Sequence, residues 1–133
     1  MNKAVARSGN LWLAAGSANG LMAVAMGAFA VHGLKDTLPS EALGWVRTAS
    51  EYQMWHGLTL LALAILRRDR ASRAAGIASW AFLLGIVLFS GSLYLLALSD
   101  WRGFAWITPI GGVALLLGWV SLVWHGLSGG KVR

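Results

Sequence analysis

The chain has no cysteine among its 133 residues and few charged residues of either sign. Without cysteine it forms no disulfide, uses no thiol nucleophile and holds no cysteine-ligated iron–sulfur cluster. Only five residues are acidic and 12% are charged, whereas 57% are hydrophobic. A soluble domain of this size would need more polar side chains to cover its surface. The composition therefore excludes a soluble globular domain and predicts an integral membrane protein.

Four long apolar segments are separated by short charged connectors. Residues 11–34, 74–99 and 103–130 contain no Asp, Glu, Lys or Arg, and each exceeds the ~20 residues that a helix needs to cross a bilayer. The first segment imitates a signal peptide, but its length favours a retained membrane helix. We predict an all-α fold, with one integral membrane domain that forms a four-helix transmembrane bundle. Its helices are expected near residues 11–34, 48–66, 74–98 and 108–127.

The starts of the second and fourth helices depend on capping patterns. Residues 48–51 (TASE) fit a capping box, which predicts that the second helix begins near Thr48. A short interfacial helix over residues 41–47, anchored by Trp45, would then precede it. The alternative is one continuous helix from Ser40. Thr108 followed by Pro109 fits an N-cap with proline at the first position of the fourth helix.

The basic residues predict the orientation. With four spans, one side of the membrane receives eight of the eleven Lys and Arg residues, and the other side receives Lys35, Arg47 and Arg102. The side with more basic residues is expected to be cytoplasmic, which places both termini there. This explains the net charge of +6 without nucleic acid, and no nucleic-acid partner is expected. The eight residues are Lys3, Arg7, Arg67, Arg68, Arg70, Arg73, Lys131 and Arg133.

Polar residues within the spans converge on the outer half of the bundle, and His125 is the exception. Tyr52 and His56 are four residues apart and share a helix face, as do Ser90 and Tyr94. Such residues form either a structural hydrogen-bond network between helices or a ligand site. The candidates are His32, Tyr52, Gln53, His56, Ser90, Ser92, Tyr94 and Thr108.

Three kinds of ligand can be considered for this cluster. His32 and His56 could ligate haem iron from both faces if they lie at equal depth. A transition metal is disfavoured because only Glu51 or Asp36 could complete the ligand set, so no metal site is assigned. A lipid or quinone head group fits better, because His and Tyr donate hydrogen bonds and the start of the fourth helix offers backbone N–H groups. No cofactor is therefore expected.

Small residues are spaced for close contact between helices. Glycine allows two backbones to approach in lipid, where helices associate through packing and hydrogen bonds. The sequence contains no G-x-S-x-G, H-E-x-x-H or P-loop motif, so a non-enzymatic protein is expected. The expected packing glycines are Gly16, Gly20, Gly27, Gly91, Gly111, Gly112 and Gly118.

Four motifs in order resemble a known family. They are residues 27–34 (GAFAVHGL), 52–58 (YQMWHGL), 89–94 (FSGSLY) and 108–112 (TPIGG), followed by Gly118 and Trp119. The chain resembles a family of small multipass membrane proteins, domain of unknown function 423, which includes the YgdD-like proteins and the transmembrane protein 256 group. The resemblance implies a bacterial inner-membrane protein with an uncleaved first helix, and it implies no activity.

Two functions remain open at this stage. The first is a small partner or accessory subunit in the membrane, in contact with another membrane protein or with a second copy of itself. The second is a binding protein for a lipid or quinone head group at the polar cluster. The lipid bilayer is a partner in both cases.

Overall fold

Four antiparallel helices form the fold. The computed structural model describes residues 3–69, 72–99 and 101–128, and side chains over residues 9–67, 72–99 and 101–128. α1 packs against α2, α2 against α3, and α3 against α4. The predicted all-α four-helix bundle is confirmed. The helices are α1 (Lys3–His32), α2 (Ser40–Asp69), α3 (Arg73–Leu98) and α4 (Ile107–Leu127), and a 3-10 helix (Arg102–Trp106) precedes α4.

Three segments of the described chain are long and apolar enough to cross a membrane: Gly9–His32, Arg73–Leu98 and Arg102–Leu127. α2 is more polar, but it pairs with α1 over most of its length. Gly27 of α1 faces Ser50, and Gly16 faces Gly57. α2 therefore lies at the same depth as the spanning helices, between α1 and α3. Neighbouring helices cover Ser50, Gln53 and His56, whose polar groups hydrocarbon could not satisfy.

The predicted start of the second helix near Thr48 is wrong, and the alternative of a continuous helix from Ser40 is confirmed. No separate interfacial helix forms over residues 41–47. The physical reason is the apolar face formed by Ala42, Val46 and Ala49, which is buried against α1 and α3. These residues recur with helical spacing, so packing along the whole face outweighs a local capping pattern in the middle of the helix.

The predicted role of Thr108 as an N-cap is also wrong. The 3-10 helix continues directly into α4, and Trp106 is the N-cap residue, without a side-chain hydrogen bond. The Oγ1 atom of Thr108 instead lies 2.7 Å from Oγ of Ser92 on α3. Pro109 is the third residue of α4, where its missing N–H removes no helical hydrogen bond.

The largest apolar core of the bundle lies where α2 meets α3. Phe82, Leu60 and Leu63 form the main core where α2 and α3 meet, and Trp12 of α1 packs edge-on against Trp80 at 5.1 Å. The outer surface is apolar, with large exposed side chains such as Leu21, Leu116 and Val120. A surface of this kind is in contact with lipid.

The orientation can be tested with single cysteines in this cysteine-free chain. Ser40 and Ser128 lie at opposite ends of the bundle, and neither is buried. We expect Ser40→Cys to react with a membrane-impermeant thiol reagent in intact cells, and Ser128→Cys to react only after lysis, because basic ends stay cytoplasmic. Labelling of Ser128→Cys in intact cells would reverse the orientation.

Candidate functional site

Gln53 is the centre of a hydrogen-bond network that joins three helices. Its side chain is 7% exposed. Its Nε2 donates to Oδ1 of Asn19 on α1 at 3.0 Å, and its Oε1 accepts from the hydroxyl of Tyr94 on α3 at 2.8 Å. Asn19 Nδ2 in turn donates to the carbonyl oxygen of Ala15. Both ends of the Gln53 amide are thus paired, as a buried amide requires.

His56, one turn further along α2, connects to α4. Its Nδ1 lies 2.7 Å from the carbonyl oxygen of Tyr52. Because a carbonyl can only accept, Nδ1 carries the hydrogen and Nε2 is an acceptor. Nε2 accepts from the indole Nε1 of Trp119 at 3.2 Å. His56 is 5% exposed and holds the Trp119 ring in place.

A groove opens to the membrane between α2 and α4, above Phe89 of α3, and we call it the lateral groove. Its volume is about 570 Å³, within the range of small-molecule sites. Tyr52 also lines the groove, and its hydroxyl has no hydrogen-bond partner among the side chains that the structure describes. The lining residues are Tyr52, Trp55, His56, Phe89, Pro109, Gly112, Val113, Leu115, Leu116 and Trp119.

The aromatic rings of the lateral groove contact one another. Tyr52 lies 4.6 Å from Phe89 and 5.2 Å from Trp55 between ring centroids. His56 lies 6.0 Å from Trp119. These contacts fix the rings, because each ring is held by at least one other. The groove therefore presents flat apolar surfaces with a few polar atoms between them.

The two serines of the third motif have different surroundings. Ser92 pairs with Thr108 and also donates to the carbonyl oxygen of Phe89 at 3.0 Å, so it connects α3 to α4. Ser90 is 1% exposed, and its hydroxyl finds no partner within the described part of the chain. Neither serine lines the lateral groove.

His32 does not join the cluster. It is the last residue of α1 and is exposed. Gly57, next to His56, packs against Gly16 and Gly20 of α1, and His32 lies twelve residues beyond Gly20. At 1.5 Å per residue this is about 18 Å along the helix axis. The expectation that His32 and His56 share a depth and face the interior together is therefore wrong.

The expected packing glycines differ in how closely a neighbour approaches. A Cβ atom at Gly111 would meet the backbone of Phe89, at Gly118 the ring of Phe82, and at Gly16 the carbonyl oxygen of Gly57 at 2.8 Å. Gly27 and Gly112 make ordinary contacts, with the nearest atoms 3.8 Å away. At Gly20 and Gly91 a Cβ atom would meet nothing within 4 Å, although the backbone of Gly20 lies close to Gly57.

Sequence reasoning missed three groups. Asn19 was detectable as the one amide side chain in the charge-free segment of residues 11–34. Trp119 gave no signal, because nothing in the sequence shows which face of α4 meets His56. Gly57 and Gly85 also approach other helices, with Gly85 against Leu115.

At the opposite end of the bundle, Ser72 caps α3 and lies 2.8 Å from Nδ1 of His125.

Metal binding has no support in the described residues. Among residues 3–69, 72–99 and 101–128, no group of three or more His, Asp or Glu side chains could hold a metal ion. The chemistry available at the lateral groove is hydrogen bonding and ring stacking.

The fold defines the class: a small multipass helical membrane protein, whose apolar outer surface is in contact with the bilayer. A family model described as "Protein of unknown function (DUF423)" matches residues 26–112. The chain belongs to this family, as the four motifs predicted. No solved structure matches the chain.

Three relatives are similar over most of their length. A UPF0382 membrane protein of Haemophilus influenzae is 46% identical over 116 residues, which cover 86% of this chain and 92% of that protein. UPF0382 inner membrane protein YgdD of Escherichia coli K12 is 45% identical over 105 residues, covering 79% and 80%. UPF0382 membrane protein SSP2132 of Staphylococcus saprophyticus is 45% identical over 108 residues, covering 81% and 89%.

Proposed function

We propose that this protein is a non-enzymatic membrane protein that binds the ring of a lipid-soluble molecule, such as a quinone head group, in the lateral groove. The observation that carries the proposal is a groove of about 570 Å³ that opens to the membrane. It combines four aromatic rings with the hydroxyl of Tyr52, which has no hydrogen-bond partner among the described side chains. A ligand dissolved in the bilayer could enter sideways, between α2 and α4, without crossing water.

The shape and lining of the groove support a flat ligand. Trp55, Phe89 and Trp119 offer ring faces and edges, which attract another ring in offset or edge-on geometry. Val113 and Leu116 on α4 provide apolar surface on the other side. In a ligand with a planar ring and an isoprenoid or acyl tail, the ring would lie against α2 and the tail would remain in lipid.

Polar atoms in the groove support a ligand that carries carbonyl or hydroxyl oxygens. The Tyr52 hydroxyl can donate to a ligand carbonyl. The Trp119 N–H makes a 3.2 Å bond to His56, which is long for a hydrogen bond of this type. A ligand carbonyl could replace His56 as the acceptor of this hydrogen bond. A ligand hydroxyl could then donate to Nε2 of His56.

The test is equilibrium binding of a short-chain benzoquinone to the purified protein in detergent, with the melting temperature as a second readout. We expect saturable binding to the wild type. Val113→Trp fills the groove and should weaken binding at least tenfold. Tyr52→Phe removes one hydrogen bond, worth about 1 kcal/mol, and should weaken binding about fivefold.

Val120→Trp is the matched control, because Val120 lies on the same helix and is exposed to lipid outside the groove. It should bind the quinone as the wild type does. Absence of saturable binding, or equal binding by Val113→Trp and Val120→Trp, would refute the proposal.

A role as a small partner or accessory subunit is the second candidate. It is favoured by the outward face of α1, which carries the exposed small residues Ala14, Ala18, Ala25 and Ala28. Small side chains let another membrane helix approach closely. Substituting Ala18 by leucine should then abolish co-purification of a partner or of a second copy, while quinone binding is retained.

A further inference from the structure

A second depression lies on the membrane-facing side of α3, beside α4, and we call it the α3 trough. It has a volume of about 780 Å³ and shares no residue with the lateral groove. Its α3 residues follow one helix face at spacings of three and four. The small residues Gly76 and Ala81 lie at the two edges of this face, and Ile77, Trp80 and Leu84 lie between them. Ala114 and Leu117 of α4 close it.

The α3 trough has the length of one bilayer leaflet. It extends along α3 from Arg73 to Leu84, eleven residues, which is about 16 Å at 1.5 Å per residue. Half of a hydrocarbon core of ~30 Å is about 15 Å. An acyl chain that begins at the level of Arg73 would therefore end near the bilayer midplane, beside Leu84.

The end of the trough at the membrane surface is positively charged. Arg73 is the one ionisable residue in the lining, and it forms no salt bridge or side-chain hydrogen bond with the side chains described over residues 9–67, 72–99 and 101–128. Arg67, from the end of α2, extends over α3, since a Cβ atom at Gly76 would lie 2.9 Å from its Nη1. Arg73 therefore supplies the positive charge that lines the trough, and the guanidinium of Arg67 packs beside it against Gly76.

We propose that the α3 trough binds one anionic glycerophospholipid, with its phosphate at Arg73 and one acyl chain along Ile77, Ala81 and Leu84. Basic pockets beside membrane helices attract anionic head groups, and guanidinium binds phosphate with two parallel hydrogen bonds. The connector between α2 and α3 adds Arg68 and Arg70 in sequence. This site is independent of the lateral groove and of its ligand.

The test measures lipid retention by native mass spectrometry and the melting temperature after adding lipid to delipidated protein. Phosphatidylglycerol and phosphatidylcholine with identical chains are compared. We expect one phosphatidylglycerol to be retained at least tenfold more tightly than phosphatidylcholine. Arg73→Gln should abolish this preference. Ala81→Trp should lower retention of both lipids at least tenfold, since it fills the trough, and Ala114→Phe is a second filling variant if Ala81→Trp does not fold.

Two control variants distinguish binding at the α3 trough from attraction of anionic lipid to any positive charge and from lipid contact at any exposed surface. Lys35→Gln removes one exposed positive charge outside the trough and should keep the preference. Ala62→Trp adds the same ring at an exposed position of α2 outside the trough and should keep retention. Inorganic phosphate should not raise the melting temperature. Any of three results would overturn the proposal. The wild type could retain the two lipids equally, Arg73→Gln and Lys35→Gln could lose the preference for phosphatidylglycerol equally, or inorganic phosphate alone could stabilise the protein fully.

Discussion

Gly111→Ala is expected to lower the free energy of unfolding by about 3 kcal/mol, at the upper end of the usual cost of overpacking. A Cβ atom at this position would lie 2.7 Å from Cα of Phe89 and 2.8 Å from the carbonyl carbon of Leu88. These are backbone atoms of α3, which cannot rotate out of the way as a side chain can. The two helices must therefore move apart, and they lose packing along their common face.

Gly112→Ala is the matched control, since it is the next residue on the same helix. Its Cβ atom would lie 3.8 Å from the ring of Phe89, an ordinary contact. Alanine stabilises a helix interior by roughly 0.5–1 kcal/mol relative to glycine, so this variant should melt at the wild-type temperature or slightly above it. Thermal unfolding of both variants in the same detergent gives the comparison. Equal melting temperatures would show that α3 and α4 do not approach closely at Gly111.

Gln53→Leu is expected to have the second large effect, a loss of about 2–4 kcal/mol. The substitution leaves Oδ1 of Asn19 and the hydroxyl of Tyr94 without partners inside the bundle. An unsatisfied buried polar group costs about 1–3 kcal/mol, whereas removing both partners of a hydrogen bond can be nearly neutral. The triple variant Asn19→Leu, Gln53→Leu, Tyr94→Phe should therefore recover most of the stability, as measured by thermal or chemical unfolding.

Ser90→Ala is the control for this network, because the Ser90 hydroxyl is buried on α3 without a hydrogen-bond partner in the described chain. Its removal should be neutral or slightly stabilising, since no bond is lost. If Gln53→Leu is as mild as Ser90→Ala, or the triple variant is less stable than Gln53→Leu alone, the three residues do not act as one network.

Local patterns in the sequence predicted some elements well and others badly. The bounds of α3 were predicted within one residue, because a long charge-free run and flanking charges both point to the same ends. The start of α2 was predicted eight residues late, at Thr48 instead of Ser40. A capping pattern is short and recurs by chance, and only the packing of Ala42 and Val46 against other helices shows that it is not used.

The sequence likewise identified some residues of the candidate site but not how they pair. Gln53 and Tyr94 could be identified as buried polar residues from their positions in apolar runs, but Asn19, the second partner of Gln53, could not be assigned to it. His32 looked equivalent to His56 because the predicted topology places both in the outer half of the bundle. The pairing of Gly57 with Gly16 and Gly20 places them at different depths. Relative depth depends on how two helices are shifted along each other, which one segment's sequence does not contain.

The sequence by itself determined that this protein lies in a membrane, that it is helical, and which end of the bundle carries most of the basic charge. Each of these follows from the hydropathy and charge of single segments, because lipid accepts only backbones that satisfy their own hydrogen bonds. The tertiary structure decided which side chains meet. Successive residues of a helix point about 100° apart, so a small rotation decides whether Gly111 or Gly112 touches α3. That rotation is set by packing between helices, and the lateral groove and the α3 trough both result from it.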